Sequence, residues 1–488
     1  MPNFNDEEIQ KLFGREDAEN ENPSRLKEYF FRNKAYENLI TNLPIRILVG
    51  HKGSGKSALL KIAYSEDQEK NILSLWLRPD DVRAVEAGLG SGDLNSRINS
   101  WKSGLTQLIA REIANLYGSQ TLENIVPKSV QGKLLDVVAI AKEVFSKEIT
   151  KGVSTVKSLV MENFRKTNLV RVYLDDLDRG WEAKQKDINN VSALLNAIRD
   201  LCGSKNTLQF RLGLRSDVYY LVRTSDESTD KIEGNIIFLT WDNHEILVVA
   251  AKRVESYFGR EIDDRKLLLS KQIKVSHFLN SVIEPVFLGA GKWERAPIHR
   301  VLLSLVRKRP RDLVKLMSGA AREAYRNGHS IITTNSLRAT FEAYSNERLQ
   351  DLVNEFRTEL PTISDLLRGM RPVKKERRTV DQFCYSNDQL AVKLKNLMGQ
   401  KKFIFANRTT GDVHSLGQFL YKIDFIMARK VLENGMIVRK YFDQNRYLQD
   451  QFVDYGFDWE IHPAYRWALQ PATYDEIFKV TNLDPDED

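Results

Sequence analysis

The chain of 488 residues carries 73 Lys and Arg against 66 Asp and Glu, which gives a formal charge of +7. This length predicts roughly three domains with enough core to fold unaided, and the two distant cysteines, Cys202 and Cys384, exclude a disulfide framework and a cysteine-rich zinc site. The small charge surplus does not by itself indicate nucleic-acid binding. The first residues lack the basic and then apolar order of a secretory signal, and no apolar run approaches the ~18 residues that span a bilayer. We therefore expect a cytoplasmic protein without membrane association.

A glycine-rich loop follows the first apolar run of the chain. Residues 45–49 predict a β-strand, residues 50–57 read GHKGSGKS, and residues 56–63 predict a helix. This is the GxxxxGK[ST] pattern in the context that binds nucleotide phosphates through backbone N–H groups and the positive end of a helix. Lys56 is expected to reach the β and γ phosphates of ATP, and the Ser57 hydroxyl to ligate Mg²⁺. The predicted nucleotide-binding residues of this loop are Gly50, Lys52, Gly53, Ser54, Gly55, Lys56, Ser57 and Ala58.

A second motif argues against a chance match of the first. Residues 169–174 predict a buried strand that ends in the acidic sequence Asp175-Asp176-Leu177-Asp178-Arg179. An acid at the end of such a strand is the Walker B carboxylate that holds Mg²⁺, often through water, and Asp175 is assigned to this role. Asp176 is assigned to orient or deprotonate the attacking water. Taken alone, the adjacent acids would indicate a solvated turn.

Strands and helices alternate around the two motifs. The remaining elements predicted for this part are strands at 72–77, 208–214 and 235–239 and helices at 93–118, 130–164, 187–202 and 243–258. Such alternation predicts an α/β fold with the mostly parallel sheet of a P-loop NTPase. The strand that is expected between the P-loop strand and the acid strand ends in Arg215, which would face the γ-phosphate as a catalytic sensor. The alternative for Arg215 is a surface ion pair with Asp217 or another acid.

Beyond this core the sequence favours helices. Residues 260–325 and 330–367 show helical periodicity, and Arg309 and Arg311 flank a proline that fits the first turn of a helix. These two arginines are predicted to bind the nucleotide from a small helical lid, or else to form a solvated basic turn. The charge run at 368–378 is interpreted as a linker in preference to a phosphate-binding patch.

The last part of the chain predicts short helices and one hairpin. The hairpin would join residues 436–441 to residues 459–463, which is compatible with a winged helix-turn-helix, and the acidic end at 484–488 predicts a disordered tail. The predicted domains are therefore a P-loop ATPase domain at 1–258 with an N-terminal helical extension and a helical insertion at 93–164, a helical lid and connector at 259–378, and a winged-helix-like domain at 379–488.

Five segments together resemble bacterial P-loop ATPases related to the KAP and STAND NTPases. They are residues 13–19, 52–58, 175–179, 309–312 and 457–463. The resemblance implies an AAA-like or STAND-like core, a helical lid and a C-terminal winged-helix-like domain, in a family whose genes often lie near antiphage defence or mobile-element genes. Many KAP members carry membrane-spanning helices inside the ATPase. We do not expect this chain to share that membrane association, because its insertion contains charged residues. These residues are Lys133, Asp136, Lys142, Glu143 and Lys147.

The function predicted from these features is Mg²⁺-dependent ATP hydrolysis that drives a conformational or assembly switch in bacterial antiphage defence. The expected partners are further copies of the chain, a separately encoded effector, or both, and Arg179 and Arg199 are candidates for an arginine that completes a neighbouring subunit's site. The main alternative is a DNA-binding ATPase that loads or remodels a nucleoprotein complex through its C-terminal domain; a small-molecule kinase is the third. No HExxH zinc motif and no GxSxG elbow occurs.

Overall fold

The computed structural model describes residues 2–15, 21–87, 92–117, 136–148, 155–203, 207–225, 227–379, 381–444, 456–470 and 476–486. Its contacts divide the chain into two compact units. The sheet unit comprises Asn33–Lys52 and Lys56–Leu239, and the helical unit comprises Met1–Arg32, Gly53–Gly55 and Thr240–Asp488. The three-part domain division at 258 and 378 remains a prediction.

Helices and strands are numbered here in chain order within the described residues. The helices are α1 (Asp6–Phe13), α2 (Pro23–Glu28), α3 (Lys34–Leu39), α4 (Lys56–Glu69), α5 (Pro79–Ala87), α6 (Leu94–Tyr117), α7 (Val137–Glu148), α8 (Thr155–Thr167), α9 (Gln185–Cys202), α10 (Ser216–Ser225), α11 (Asn243–Tyr257), α12 (Asp264–Leu268), α13 (Gln272–Ser276), α14 (Ile298–Ser304), α15 (Pro310–Arg326), α16 (Thr334–Phe356), α17 (Ile363–Gly369), α18 (Asn387–Gln400), α19 (Val413–Lys422), α20 (Arg466–Leu469) and α21 (Glu476–Val480). The strands are β1 (Ile45–Gly50), β2 (Leu73–Leu77), β3 (Val170–Leu174), β4 (Leu208–Arg215), β5 (Ile236–Phe238), β6 (Val286–Leu288), β7 (Glu294–Pro297), β8 (Cys384–Tyr385), β9 (Ile426–Val431), β10 (Ile437–Lys440) and β11 (Asp458–Ile461).

A five-stranded parallel sheet forms the centre of the sheet unit. Its strand order is β2-β3-β4-β1-β5, and every neighbouring pair runs parallel. Strand β4 therefore lies between β1 and β3, as expected for a strand that intervenes between the glycine loop and the acidic motif. Almost all residues of β1, β3 and β4 are buried, because helices cover both faces of such a sheet. The predicted α/β P-loop NTPase fold is confirmed by this strand order.

The long helix α6 belongs to the predicted helical insertion, and its buried residues recur at helical spacing. Trp101, Leu105, Ile109 and Ile113 are each at most 2 % exposed and join the core that the strands provide. The periodicity that predicted a helix at 93–118 therefore reports a face packed against the sheet. Residues 118–135 of the insertion lie outside the described part of the chain.

A buried ion pair ties the helix after the glycine loop to the strand before the acidic motif. Asp67 of α4 accepts from Arg171 Nη1 at 2.5 Å and from the Tyr173 hydroxyl at 2.6 Å, and both partners lie on β3. Gln209 of β4 accepts from Arg171 Nε at 3.1 Å. Because a buried charge is stable only when it is paired, these contacts hold α4 and β3 in one register.

The helical unit contains more sheet than the sequence predicted. Strands β6 and β7 pair antiparallel inside the segment at 260–325 that was expected to be helical throughout. A second antiparallel sheet has the order β10-β9-β11-β8. The predicted hairpin between 436–441 and 459–463 is wrong, because β9 lies between β10 and β11 and pairs with both. The winged-helix architecture of 379–488 remains a prediction.

The acidic end of the chain packs into the helical unit, so the prediction of a disordered tail is wrong for Asp484 and Asp486. The Asp484 carboxylate accepts from Asn243 Nδ2 at 3.0 Å and pairs with Arg439 Nη1 at 2.5 Å, and Asp486 lies 2.8 Å from His299 Nε2. Composition pointed to a solvated tail because the partners lie far away in sequence. Residues 487 and 488 are outside the described range.

Among the described residues, no helix combines the length and the apolar character that a bilayer crossing requires.

Candidate functional site

The glycine loop joins β1 to α4 in the manner that its sequence predicts. Strand β1 ends at Gly50 and α4 begins at Lys56. Gly53 and Gly55 have φ angles of +82° and +100°, which side chains with a Cβ rarely adopt, so glycine is required at both positions. The Lys56 ammonium donates to the carbonyl oxygens of Gly50 at 2.8 Å and His51 at 3.1 Å, and thus lies over the loop.

Asp175 immediately follows β3, at the carboxyl end of the sheet. Its side chain lies against Gly213 of the neighbouring strand β4, where a Cβ would overlap the carboxylate. Glycine at position 213 thus leaves the space that the acid occupies between β3 and β1. The predicted Mg²⁺ ligands, Asp175 and the Ser57 hydroxyl, follow β3 and the glycine loop respectively; both offer the hard oxygen atoms that Mg²⁺ prefers.

The structure places a further acid, Asp178, beside Arg215. The sequence alone did not mark Asp178 as a functional residue. Its side chain is 11 % exposed, and its Oδ2 lies 3.3 Å from Arg215 Nη1. Burial raises the pKa of the Asp178 carboxyl above its ordinary value, and the charges of Arg215 and Lys56 act in the opposite direction. A largely buried carboxylate that pairs with Arg215 and is influenced by the charge of Lys56 fits a proton-handling role. The sequence did contain a signal for Asp178, because it is the third acid in the run from Asp175 to Asp178.

Arg215 lies at the end of β4, where it was predicted. Its guanidinium donates to both carboxylate oxygens of Asp217, from Nε at 3.0 Å and from Nη2 at 2.6 Å, and it also pairs with Asp178. The alternative interpretation named Asp217 as the partner of Arg215, and the structure contains this ion pair. It is not a surface ion pair, however, because the Arg215 side chain is only 14 % exposed. The sensor role of Arg215 stays a prediction.

Asp176 turns away from the regular course of β3. Its φ of +55° is a left-handed conformation, which costs a non-glycine residue about 1 kcal/mol or more. It lines a cavity together with Arg83, Trp101 and Arg179. The assignment of Asp176 to the attacking water stays a prediction, and the candidate arginine Arg179 lies 3.4 Å from the Asp80 carboxylate. The other candidate, Arg199, lies 3.4 Å from Asp200.

The helical unit contains the two lid arginines and the tip of the glycine loop. The backbone N–H of Arg311 lies 3.4 Å from the Gly53 carbonyl, and the Arg311 side chain packs over Gly53. Arg309 is 3 % exposed and pairs with Asp424 at 2.8 Å. Of the two, Arg311 is thus the one beside the loop, whereas the Arg309 guanidinium is engaged by a carboxylate of its own unit.

A buried network supports helix α15, which begins directly after Arg309. Asp312 accepts from Arg307 Nε at 2.7 Å and from Arg348 Nη1 at 3.0 Å. Burial alone would raise the pKa of Asp312, but the two guanidinium groups hold it well below its usual range. The partners of Asp312 thus come from the segment before α15 and from α16.

Comparison with known proteins gives matches at low identity. A family model described as the FunZ-associated C-terminal helical domain matches residues 252–353. The chain is 25% identical over 513 residues to the "Putative transposon gamma-delta 80.3 kDa protein" of Escherichia coli (strain K12), an alignment that covers 95% of this chain and 69% of that protein. It is also 25% identical over 156 residues to "Allergen Alt a 2" of Alternaria alternata, covering 32% of this chain and 74% of the allergen.

Two solved structures are similar over most of their length. The Walker-type ATPase paby2304 of Pyrococcus abyssi has a TM-score of 0.41 at 13% identity and covers 86% of this chain and 96% of its own. The Aeropyrum pernix ORC2 protein has a TM-score of 0.41 at 10% identity, with coverage of 89% and 88%. Because both TM-scores are low, the fold assignment rests on the strand order and the glycine loop and not on these similarities.

Proposed function

We propose that this chain is a Mg²⁺-dependent ATPase that binds and hydrolyses ATP and thereby acts as a conformational or assembly switch. The observation that carries the proposal is the convergence of Lys56, Asp175, Asp178 and Arg215, which follow or end three adjacent parallel strands. The carboxyl ends of such strands are where α/β proteins bind ligands. The group combines cations for phosphate oxygens with acids for a metal ion and for a water molecule.

Each residue has a distinct part in the proposed reaction. Mg²⁺ would be held by the Ser57 hydroxyl and Asp175, and when bound it neutralises charge on the phosphates. The Lys56 ammonium would exchange the carbonyl oxygens of Gly50 and His51 for phosphate oxygens. Between the two candidate acids for the attacking water, the surroundings favour Asp178, because it lies beside Arg215 and is influenced by Lys56. Arg215 would position Asp178 and face the phosphate that is transferred.

Release of inorganic phosphate from ATP without an added acceptor tests the proposal. We expect turnover with Mg²⁺ and its loss in Lys56→Ala, because the loop then lacks the cation that reaches the phosphates. Lys70→Ala is the matched control: Lys70 is exposed, lies directly after the same helix and pairs with Glu66 at 3.6 Å. Phosphate release that appears only with an added acceptor would favour a kinase, and equal turnover by Lys56→Ala would refute the assignment of the site.

The switch is proposed to act with partners. The resemblance to KAP and STAND NTPases supports self-assembly and a separately encoded effector in antiphage defence. Mass photometry with and without a slowly hydrolysed ATP analogue tests assembly, and we expect larger species with the analogue. An unchanged mass distribution would refute assembly as the output. In assembled protein, Arg179→Ala and Arg199→Ala test whether either arginine completes a neighbouring site.

A second candidate function is an ATPase that binds DNA and loads or remodels a nucleoprotein complex. One structural observation favours it: the basic run places six exposed cations within eleven residues, at Arg368, Arg371, Lys374, Lys375, Arg377 and Arg378. A relative of this chain bears the name of a transposon protein. Filter binding at two salt concentrations tests the candidate, since counterion release predicts affinity that falls steeply with salt. No retention of DNA at either concentration would remove this candidate.

A further inference from the structure

The acidic loop after β3 also lines a cavity. None of the residues assigned to the proposed hydrolysis lines this cavity. It has a volume of about 120 Å³, well above the 10–15 Å³ that one water molecule needs. We call it the Trp101 cavity. It is bounded by α5, α6, the loop after β3 and α9, and its lining residues are Pro79, Val82, Arg83, Glu86, Trp101, Asp176, Leu177, Arg179, Gly180, Trp181, Asp187, Asn190, Val191 and Leu194.

Two side chains in the wall of the Trp101 cavity, Trp101 and Arg83, have donors without an acceptor among the described residues. Trp101 is 2 % exposed, and its indole Nε1–H makes no hydrogen bond although it is buried. Buried N–H groups are nearly always paired, so an unpaired one in a cavity wall points to a missing acceptor. Arg83 forms no hydrogen bond or ion pair with any residue in the described part of the chain, and its guanidinium lies against Gly180. The Arg179 guanidinium lies 3.4 Å from its partner Asp80, which is an exposed side chain.

Two acids of the same wall are already satisfied. Glu86 Oε1 accepts from Asn190 Nδ2 at 2.8 Å, and Asn190 Oδ1 in turn accepts from Arg97 Nη1 at 3.1 Å. Asp187 Oδ2 accepts from the backbone N–H groups of Glu182 and Lys184, both at 3.1 Å, at the start of α9. Among the described residues, the unpaired donors of the wall are therefore the Trp101 indole N–H and the Arg83 guanidinium, and apolar residues such as Val82 and Leu194 complete it.

This donor set and this wall select one chemical class. A planar carboxylate accepts two N–H bonds from a guanidinium and has lone pairs left for an indole N–H. The apolar walls fit a short branched hydrocarbon group attached to it. An open depression of about 420 Å³ shares Arg83, Glu86 and Asn190 with the cavity, so the carboxylate can belong to a free acid or to the last residue of a peptide.

The loop that lines the cavity also carries the catalytic candidate. Asp176 and Arg179 line the cavity, whereas Asp178 between them pairs with Arg215. Left-handed φ angles of +55° at Asp176 and +79° at Gly180 bend the loop to allow this. The Arg83 guanidinium contacts Gly180, so an occupant that binds Arg83 would restrict the position of Gly180 as well. Residues on both sides of Asp178 thus line the cavity, so the same short loop holds Asp178 and forms part of the cavity wall.

We propose that the Trp101 cavity is a regulatory site for a carboxylate with a short apolar group, and that its occupation raises ATP turnover by fixing the loop from Asp176 to Trp181. The regulatory half of this inference rests on the proposed ATPase function, whereas binding itself does not.

Calorimetry on the full chain without nucleotide tests binding. The probes are isovalerate and its neutral analogue isovaleramide, and, as a second pair, acetyl-Gly-Gly-Leu with a free or an amidated carboxyl end. We expect saturable binding of one acid, with its amide roughly tenfold weaker, because charge-assisted bonds are about twice as strong as neutral ones. Stronger binding of the peptide identifies a chain end as the ligand, and stronger binding of isovalerate identifies a free acid. Failure of both acids to bind overturns the inference.

Three variants connect the binding to this cavity. Arg83→Gln should weaken the bound acid about tenfold, and Trp101→Phe should weaken it while keeping the apolar wall. Arg223→Gln is the control, since Arg223 lies on α10 outside the cavity and pairs with Asp230. Equal affinity in Arg83→Gln and Arg223→Gln overturns the assignment to the cavity. Folding of each variant is checked by its thermal midpoint.

Phosphate release at a saturating concentration of the bound acid tests regulation. We expect turnover to rise by about twofold or more in the unmodified chain and to stay unchanged in Arg83→Gln. Unchanged turnover in the unmodified chain overturns the regulatory half. Binding that depends on Arg83 in a protein that releases no phosphate refutes the ATPase proposal and leaves the carboxylate site standing, so the two failures are distinguishable.

Discussion

Asp178 Oδ2 lies 3.3 Å from Arg215 Nη1, and this ion pair joins the end of the acidic motif to the end of the strand beside it. Arg215 uses its other nitrogen atoms on Asp217. One guanidinium thus pairs with two acids, and the charge of Lys56 acts to lower the pKa of one of them, Asp178. The relationship distinguishes Asp178 from Asp176 and leads to the first prediction.

Asp178→Asn should lower kcat for ATP by about 100-fold or more, the usual contribution of a positioned acid or base, without abolishing nucleotide binding. Asp176→Asn should retain kcat within about threefold, because Asp176 lines the Trp101 cavity. Steady-state phosphate release and equilibrium binding of a fluorescent nucleotide measure the two effects separately. The reverse result, with turnover lost only in Asp176→Asn, would restore the assignment made from sequence.

The pH dependence of kcat/KM should report the environment of Asp178. Its pKa is raised by burial, so the acidic limb of the profile should lie above the ordinary value of 3.8, with activity lost as pH falls through the raised pKa. Arg215→Gln removes a charge that lowers this pKa, so the limb should move to higher pH. Arg215→Lys keeps the charge and should move it less. An acidic limb at the same pH in all three proteins would exclude Asp178 as the titrating group.

Asp484→Ala should destabilise the helical unit by about 2–3 kcal/mol, since Asn243 and Arg439 lose a buried acceptor. Asp486→Ala is the control within the same segment. Asp486 is 38 % exposed, so its replacement should cost less than about 1 kcal/mol. Urea unfolding followed by circular dichroism measures both. Equal stability of Asp484→Ala and the unmodified chain would contradict the prediction that the Asp484 carboxylate stabilises this unit.

His462 should make the helical unit sensitive to mild acid. Burial lowers the pKa of His462 to about 3, and its Nδ1 accepts from the Ala464 N–H, which requires the neutral ring. A depressed pKa gives stability that is complete above the ordinary value of 6.5 and is lost as pH falls toward 3. The loss between pH 6.5 and 5 amounts to about 2 kcal/mol. Burial alone would raise the pKa of Glu460, but Arg439 and Arg466 hold it at about 2, below this window.

Urea midpoints at pH 7.5, 6.5 and 5.0 measure this dependence. His462→Asn keeps an acceptor for the Ala464 N–H but cannot titrate, so its stability should change less across the window. His329→Gln replaces an exposed histidine and should leave the dependence unaltered. The raised pKa of buried Asp424 acts in the opposite direction, which is why the variants are compared with one another. Parallel curves for His462→Asn and the unmodified chain would contradict the prediction.

Local sequence was sufficient for the strands of the sheet unit and for the helix after the glycine loop, but not for α3, α5 and α10. The run before Gly50, the loop to Ser57 and the run before Asp175 each predict structure within a dozen residues, because a strand end, a glycine turn and a helix start depend on neighbours in the chain. The position of β4 between β1 and β3 followed from knowing which motif each of those two strands carries. The strands of this unit and its α/β class were predictable for that reason.

Tertiary structure alone decided which polar groups meet. Asp176 and Asp178 are two residues apart and chemically alike, and only the left-handed turn at Asp176 assigns one to the cavity and the other to Arg215. The same holds for Asp484, whose partners Asn243 and Arg439 are 241 and 45 residues away. The length, composition and charge bounded the class of protein and its core, whereas the pairing of buried charges depends on distances that no local pattern records.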